Sequence, residues 1–255
     1  MVTQKTDLHC HILPGIDDGA KNLEVSIALL REEINQGVTN IMFTPHFDSD
    51  RISVDEFVSA RGEALEQLRA SKEFAGMDIN FKLGAEVYYT VGLADMELEP
   101  LCYQGSDYIL IELPTQARPH GLSRTLGTII NKGYRPIIAH VERYAYMMSD
   151  PTTLYDLIDL GCLAQINAET LVTKTKLSPV VGCLIRRGLV QFIASDCHSR
   201  RRRPPNLEKG FAALRSNYGG KYEERFLDAA KQIYSGAAIC PEDAKKPKKI
   251  LGMWV

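Results

Sequence analysis

A chain of 255 residues, 45% hydrophobic and 24% charged, is long enough for one substantial core, which excludes the disordered and fibrous classes. Its formal net charge of -2, with both signs interspersed, creates no global field toward nucleic acid or a membrane surface, so substrate selection has to be local. Residues 1–6 lack an apolar signal core, no run approaches the roughly 20 apolar residues of a bilayer span, and six irregularly spaced cysteines read as reduced thiols. These features predict a cytoplasmic protein with no membrane insertion and no nucleic-acid partner.

Along the chain, short apolar runs rich in β-branched residues alternate with stretches of helical period, the pattern of about seven βα units around a parallel sheet. The first strand is expected over 7–12. A helix follows over 22–36, where Leu23, Ile27, Leu30 and Ile34 form one apolar stripe and Gly37 closes it. The second strand, 40–45, precedes a helix opened by Ser53, whose spacing to Glu56 is that of a capping box. Further strands are expected over 79–87, 108–113, 136–140, 163–167 and 190–195. Helices are expected after Asp150, Lys176 and Pro205, with a last one over 222–234. No Gly/Ser/Pro-rich linker separates these elements, so one domain over 1–255 is predicted, with a basic tail at about 241–255 whose run at 245–249 reads as a solvated end.

Of the six histidines, His9, His11, His46, His140 and His198 fall at or just past the C-terminal end of an expected strand, the active-site end of βα barrels and open α/β sheets. Asp17, Asp18, Glu86, Glu112 and Asp196 share that edge. Imidazoles and hard carboxylate oxygens together make a ligand set suited to Zn, Mn or Fe. In His9-Cys10-His11 the alternation of a strand points both imidazoles one way, about 7 Å apart. Alone that pair reads equally as structural, but Asp196-Cys197-His198 repeats it on the last expected strand, which neighbours the first in a closed barrel. Glu86 and Glu112 would be costly to bury unpaired, so each needs a cation, whether a metal or an arginine. His46 and His140 taken singly read as satisfied core histidines; taken with the rest they do not. His120, between Pro119 and Gly121, reads as a loop residue.

These residues resemble the PHP (polymerase and histidinol phosphatase) superfamily, and within it the bacterial tyrosine-protein phosphatases of the capsular and exopolysaccharide type. The resemblance rests on Asp-Leu-His-Cys-His-Ile-Leu-Pro-Gly-Ile-Asp-Asp-Gly from Asp7, Thr-Pro-His ending at His46, Gly-Ala-Glu-Val-Tyr-Tyr around Glu86, and Ile-Glu-Leu around Glu112. It continues through Ala-His-Val-Glu-Arg-Tyr around His140, Gln-Ile-Asn from Gln165, and Ala-Ser-Asp-Cys-His before Arg203-Pro-Pro, covering about the first 210 residues. It implies an α/β fold, a distorted seven-stranded (β/α) TIM-like barrel, with three divalent metal ions. By the family's pattern His9, His11, Glu86 and Asp196 would hold one ion, Glu86, Glu112 and His140 a second, and His46, His198 and one of Asp17 and Asp18, with Asp18 favoured, the third. Acids at Glu112 and Asp18, where many superfamily members carry histidine, favour the tyrosine phosphatase branch and manganese, with iron and zinc as alternatives.

The implied activity is hydrolysis of phosphotyrosine on a protein, a tyrosine autokinase controlling polysaccharide synthesis, by water activated at the metal cluster. Arg143, three residues after His140, and Arg203, five after His198, would grip the phosphate in a fork. The other reading of Arg203 is an exposed member of the four arginines at 200–203. A rival substrate is a small phosphoester such as histidinol phosphate. A rival mechanism uses Cys197 and Arg203 as the Cys-x5-Arg pair of thiol phosphatases, although the intervening residues lack the glycines that let backbone approach phosphate. A third reading is a barrel that binds a kinase without turnover. Sequence leaves the oligomeric state open.

Overall fold

The computed structural model describes residues 4–241 and 244–255. The strands are β1 Lys5–Cys10, β2 Val38–Phe43, β3 His46–Phe47, β4 Asn80–Leu83, β5 Glu86–Tyr88, β6 Tyr108–Glu112, β7 Arg135–Ile138, β8 Leu163–Asn167 and β9 Phe192–Ala194, followed by a short pair, β10 Lys249–Ile250 and β11 Met253–Trp254. Between them run α1 Leu23–Asn35, α2 Val54–Arg69, α3 Lys72–Ala75, α4 Leu122–Asn131, α5 Ala145–Ser149, α6 Thr152–Leu160, α7 Ala168–Val172, α8 Ser178–Arg186, α9 Leu207–Tyr218 and α10 Gly220–Ser235. The result is a mixed α/β fold around a curled parallel sheet.

β1 pairs with β2 and β2 with β4, while β3, β5, β6, β7, β8 and β9 follow one another in a second sheet, every pairing parallel. The curl brings the last strand back to the first: Asp196 N donates to His9 O at 2.8 Å and His11 N to Cys197 O at 2.9 Å. Two expected strands are interrupted. The 40–45 run stops at Phe43 because Pro45 has no N–H to donate. The 79–87 run breaks at Gly84-Ala85, where the chain crowds the Tyr103 ring so closely that a Cβ on Gly84 would lie 2.7 Å from it. Both breaks fall just before a site residue, His46 and Glu86, and re-aim the chain there.

Strand alternation divides the core. Tyr108, Leu110 and Glu112 share one face of β6, and Phe192, Ala194 and Asp196 one face of β9 and its extension. The apolar members of these series join Leu8, Met42 and Ile137 in a buried inner cluster that also takes Ala230 and Ile233 from α10, while the polar ends emerge at the rim. The C-terminal end of α10 is tied to the opposite end of the strands, where Tyr108 Oη donates to Ala237 O at 2.9 Å and Lys82 Nζ to Tyr234 O at 2.7 Å. A larger cluster joins the outer sheet face to the surrounding helices. The Ser53 capping box forms as expected, with reciprocal bonds between Ser53 and Glu56.

Lys245, Lys246, Lys248 and Lys249 are exposed, as expected of a solvated basic run, but the described part of the tail also packs on the body. Pro247 is buried, Lys245 N donates to Arg187 O at 2.8 Å, and Trp254 Nε1 donates to Ser149 O at 3.2 Å, so the β10–β11 pair is fastened to the body. Among the described residues no helix is long and apolar enough to cross a membrane.

Candidate metal centre

Each of the nine residues expected to gather at the strand ends is delivered by a different turn of backbone. His9 and His11 come from β1 and its continuation. The loop after them folds onto itself through Gly15 N to Ala20 O at 2.7 Å and Ala20 N to His11 O at 3.0 Å, which carries Asp17 and Asp18 under the imidazoles. Gly19 permits this approach, since a Cβ there would lie 2.2 Å from His11 O. His46 opens β3 and Glu86 opens β5 directly opposite it. Glu112 ends β6, His140 follows β7, and Asp196 and His198 follow β9. His140 at φ 28° and Asp196 at φ 51° occupy the left-handed region without being glycine. Such backbone costs on the order of 1–3 kcal/mol and persists where the surroundings over-determine it, as at ligand-holding sites.

The side chains converge. His9, His11, Glu86 and Asp196 place one donor atom each within 4.8 Å of one another, as do His11, Asp18, His46 and His198, and also His46, Glu86 and Glu112. Glu86 Oε2 lies 3.1 Å from His9 Nε2, 3.2 Å from His11 Nε2 and 3.1 Å from His46 Nδ1. His140 Nε2 is 2.7 Å from Glu86 Oε1 and 3.6 Å from Glu112 Oε1. Asp18 Oδ1 sits between His46 Nε2 at 3.3 Å and His198 Nε2 at 3.4 Å. The first group is fully buried, and the second opens to the mouth through Asp18, whose side chain is 69% exposed.

Three atoms at the centre of this array, Glu86 Oε2, Asp196 Oδ1 and His198 Nε2, are buried without a hydrogen-bond partner. Buried polar atoms are rarely left so, and each is worth about 1–3 kcal/mol when stranded. The neighbours explain the orientation. His9 Nδ1 faces Gln165 Oε1 at 3.2 Å, His11 Nδ1 faces Asp17 Oδ2 at 2.8 Å and His198 Nδ1 faces the Asp196 carbonyl at 2.9 Å. With Nδ1–H donated outward to an acceptor in all three, the Nε2 positions face inward, where each ring in its neutral form presents a lone pair to a metal ion.

Without a metal ion, Glu86 and Asp196 raise His9, and Asp17 and Glu86 raise His11 well above its ordinary value, both against burial, so protons on these rings offset the crowded carboxylates. Burial works to raise the Glu86 carboxyl, but His9, His11 and His140 hold it well below the usual carboxylate range. Burial likewise opposes ionisation of Asp196, which His9 and Arg143 keep below its ordinary value. Asp18 is held low chiefly by His46. Burial and the neighbouring His11 push His198 down to about 3, which leaves a lone pair free at neutral pH. Glu112 goes the other way, raised by burial and by Glu86, a sign of negative charge crowding. Four carboxylates (Asp18, Glu86, Glu112 and Asp196) among imidazoles with inward Nε2 atoms therefore fit divalent cations, which would relieve both the crowding and the stranded atoms.

Asp17 and Asp18, adjacent in sequence, separate in space. Asp18 joins the donor array, whereas Asp17 accepts from His11 Nδ1, from Gly19 N at 2.9 Å and from His46 N at 3.1 Å, and these bonds bring it down to about 2 against the opposing effect of burial. Sequence reasoning gave no role to Gln165 and Asn167. Gln165 Oε1 accepts from His140 N at 2.7 Å besides facing His9, its Nε2 donates to Asn167 Oδ1 at 2.8 Å, and Asn167 Nδ2 donates to Asp196 Oδ2 at 2.7 Å. Two amides alternating on a fully buried strand were the available signal.

Arg143 Nη2 and Arg203 Nη2 reach the same atom, Asp196 Oδ2, at 2.7 and 2.5 Å, and both side chains remain about one-third exposed at the rim. Arg203 is thus drawn inward from the arginine run. Cys197 points away from the cluster, fully buried beside Cys10 in the outer core, with its reactive atom shut off from solvent. His120 is exposed in the loop before α4.

The family model described as capsular polysaccharide synthesis, CpsB/CapC, matches residues 5–234. The tyrosine-protein phosphatase CpsB of Streptococcus pneumoniae is 32% identical over 238 residues, covering 89% of this chain and 97% of the relative. A solved structure described as YwqE from Bacillus subtilis and CpsB from Streptococcus pneumoniae, unique metal-dependent tyrosine phosphatases, aligns with a TM-score of 0.82 at 25% identity, over 92% of this chain and 96% of that one. The phosphotriesterase homology protein of Escherichia coli shares the fold alone, with a TM-score of 0.51 at 12% identity over 92% of this chain and 99% of that one.

Proposed function

Because the chain belongs to the CpsB/CapC family of capsular polysaccharide synthesis, we propose that it is a cytoplasmic protein-tyrosine phosphatase whose divalent metal ions lie at the mouth of a single distorted seven-stranded PHP barrel. The observation that carries this reading is the trio of buried, unpartnered donor atoms on Glu86, Asp196 and His198 amid nine converging ligand-type side chains.

Three overlapping donor groups, with His140 reaching Glu86 and Glu112 from outside them, support three ions. His9, His11, Glu86 and Asp196 would hold the first. Glu86 would be shared with the second, completed by Glu112 and His140, and Asp18, His46 and His198 would hold the third. His11 and His46 each touch a second group, but a neutral imidazole offers one lone pair. His11 Nδ1 is engaged by Asp17, so His11 serves through Nε2 alone, and His46 serves through the Nε2 that faces Asp18. The weight of hard oxygen donors favours manganese, with iron and zinc compatible. Divalent ions in such a cluster supply Lewis acidity, acidifying a water and stabilising charge on phosphoryl oxygens.

The chain's own residues do the rest. Arg143 and Arg203, anchored on Asp196 Oδ2 and about one-third exposed, would bind and orient the phosphoryl oxygens through their remaining N–H groups. A tyrosine leaving group has a pKa of about 10, so its departure needs little protonation. Asp18 and Tyr88, both solvent-exposed at the rim, leave the site open to a side chain carried on another protein, and the family's capsule connection points to a bacterial tyrosine kinase as that protein.

The competing substrate is a small phosphoester. Turnover of a phosphotyrosine peptide, histidinol phosphate and sugar phosphates by the metal-loaded protein separates the two. The peptide is expected to lead in kcat/KM; a clear lead for the small esters would overturn the protein-phosphatase reading.

A further inference from the structure

Resting on the phosphotyrosine reading, we infer that the loops after β8 and β9 form a cationic docking rim that selects phosphotyrosine flanked by acidic residues. The four arginines at 200–203 do not share one fate. Arg200 Nε pairs with Glu32 at 2.6 Å and Arg203 turns inward to Asp196. Arg201 and Arg202 stay exposed, and among the described residues neither side chain meets an acidic partner.

Their placement is fixed by the metal centre itself. His198 N and Ser199 N both donate to Arg203 O, at 2.9 and 3.1 Å, and Ser199 Oγ accepts from Arg202 N at 3.2 Å. The loop is therefore a closed turn hung from His198. Arg202 also lines a recess of about 220 Å³ together with Arg143, Arg203, Asn167, Thr170 and Asn206, which opens beside Asp196. Thr170 lines the adjoining groove with Lys174, and Lys174 and Lys176 are exposed on the loop that follows α7.

The acids nearby are already occupied. Glu142 accepts from Asn167 N and Thr170 Oγ1, both at 2.9 Å. Glu169 accepts from Asn206 Nδ2 at 2.8 Å and from Thr173 Oγ1 at 2.5 Å. Lys174, Lys176, Arg201 and Arg202 are exposed on these two loops and form no ion pair with Glu142 or Glu169 among the described residues, so cations outnumber acids there on a chain whose net charge is -2. Localised positive charge on an otherwise balanced molecule steers and holds anionic segments.

The test compares kcat/KM on three phosphotyrosine peptides of equal length with acidic, neutral and basic flanks, using the metal-loaded full chain and the variant R201E/R202E. The unaltered chain is expected to prefer acidic over basic flanks by about tenfold at low salt, the sum of several exposed ion pairs, with the preference shrinking as salt rises. The variant is expected to lose the preference and to gain on the basic peptide, a gain that misfolding cannot produce. Equal rates on all three peptides, or a preference the charge reversal leaves intact, would overturn the docking rim while leaving phosphotyrosine hydrolysis standing. Hydrolysis of none of the three would overturn the phosphatase reading itself.

Discussion

Gln165 shows how much of a metal centre is set by residues that carry no charge. Its one carbonyl oxygen faces His9 Nδ1 and accepts from His140 N, so it fixes the ring of one expected ligand and the strained backbone of another. Its amide nitrogen continues through Asn167 to Asp196, which joins ligands of two proposed ions in one chain of hydrogen bonds. Outer partners of this kind tune ligand orientation. Gln165→Leu is expected to weaken metal affinity by about 10- to 100-fold while circular dichroism stays native, read by titrating the stripped protein with manganese. Unchanged affinity would show that the two histidines are held by packing alone. The convergence of these imidazoles and carboxylates was legible in the sequence because such residues at strand ends have few other uses. Gln165 and Asn167 were not, because an amide on a buried strand reads as an ordinary satisfied polar group. Residue chemistry alone left Asp17 and Asp18 undivided and only the family resemblance favoured Asp18, since adjacent residues differ only in how the loop around Gly19 turns them.

At the scale of elements, α1 carries a liability. Glu33 on its inner face is fully buried, neither carboxylate oxygen has a hydrogen-bond partner, and burial together with Asp7 pushes its pKa well above the usual value. A folded pKa above the unfolded one means that the native chain binds this proton more tightly. The stability it confers is full below the ordinary value of 4.5 and is lost as pH rises through the folded value. Glu33→Gln removes the ionisable group and is expected to raise the thermal midpoint by about 2–4 °C per kcal/mol gained at pH 8, with little change at pH 4.5. An equal effect at both pH values would mean that Glu33 does not titrate between them. Sequence patterning placed α1 through its stripe of Leu23, Ile27, Leu30 and Ile34, yet the buried face runs through Ser26, Ile27, Leu29, Leu30 and Glu33 and leaves Leu23 and Ile34 only partly buried. Helical periodicity locates a face but not its edges. In the same way the 40–45 and 79–87 runs were recognised as strands, while their breaks at Pro45 and Gly84 depended on contacts from elsewhere, such as Tyr103.

For the whole molecule, the curled parallel sheet explains why ligands so far apart in sequence, from His9 to His198, meet at one rim. Most strands contribute a residue at or just past one end, and the return of Asp196 and Cys197 to β1 joins the first and last of them. The same arrangement buries Cys197 on the outer side, which leaves the metal-type donors as the only assembled chemistry at the rim among the described residues. The central claim, that metal ions held there drive phosphotyrosine hydrolysis, is tested most directly by following hydrolysis of a phosphotyrosine peptide before chelation, after chelation, and after manganese is restored. Activity is expected to vanish with the chelator and return with manganese. Activity that survives complete metal removal would contradict the account.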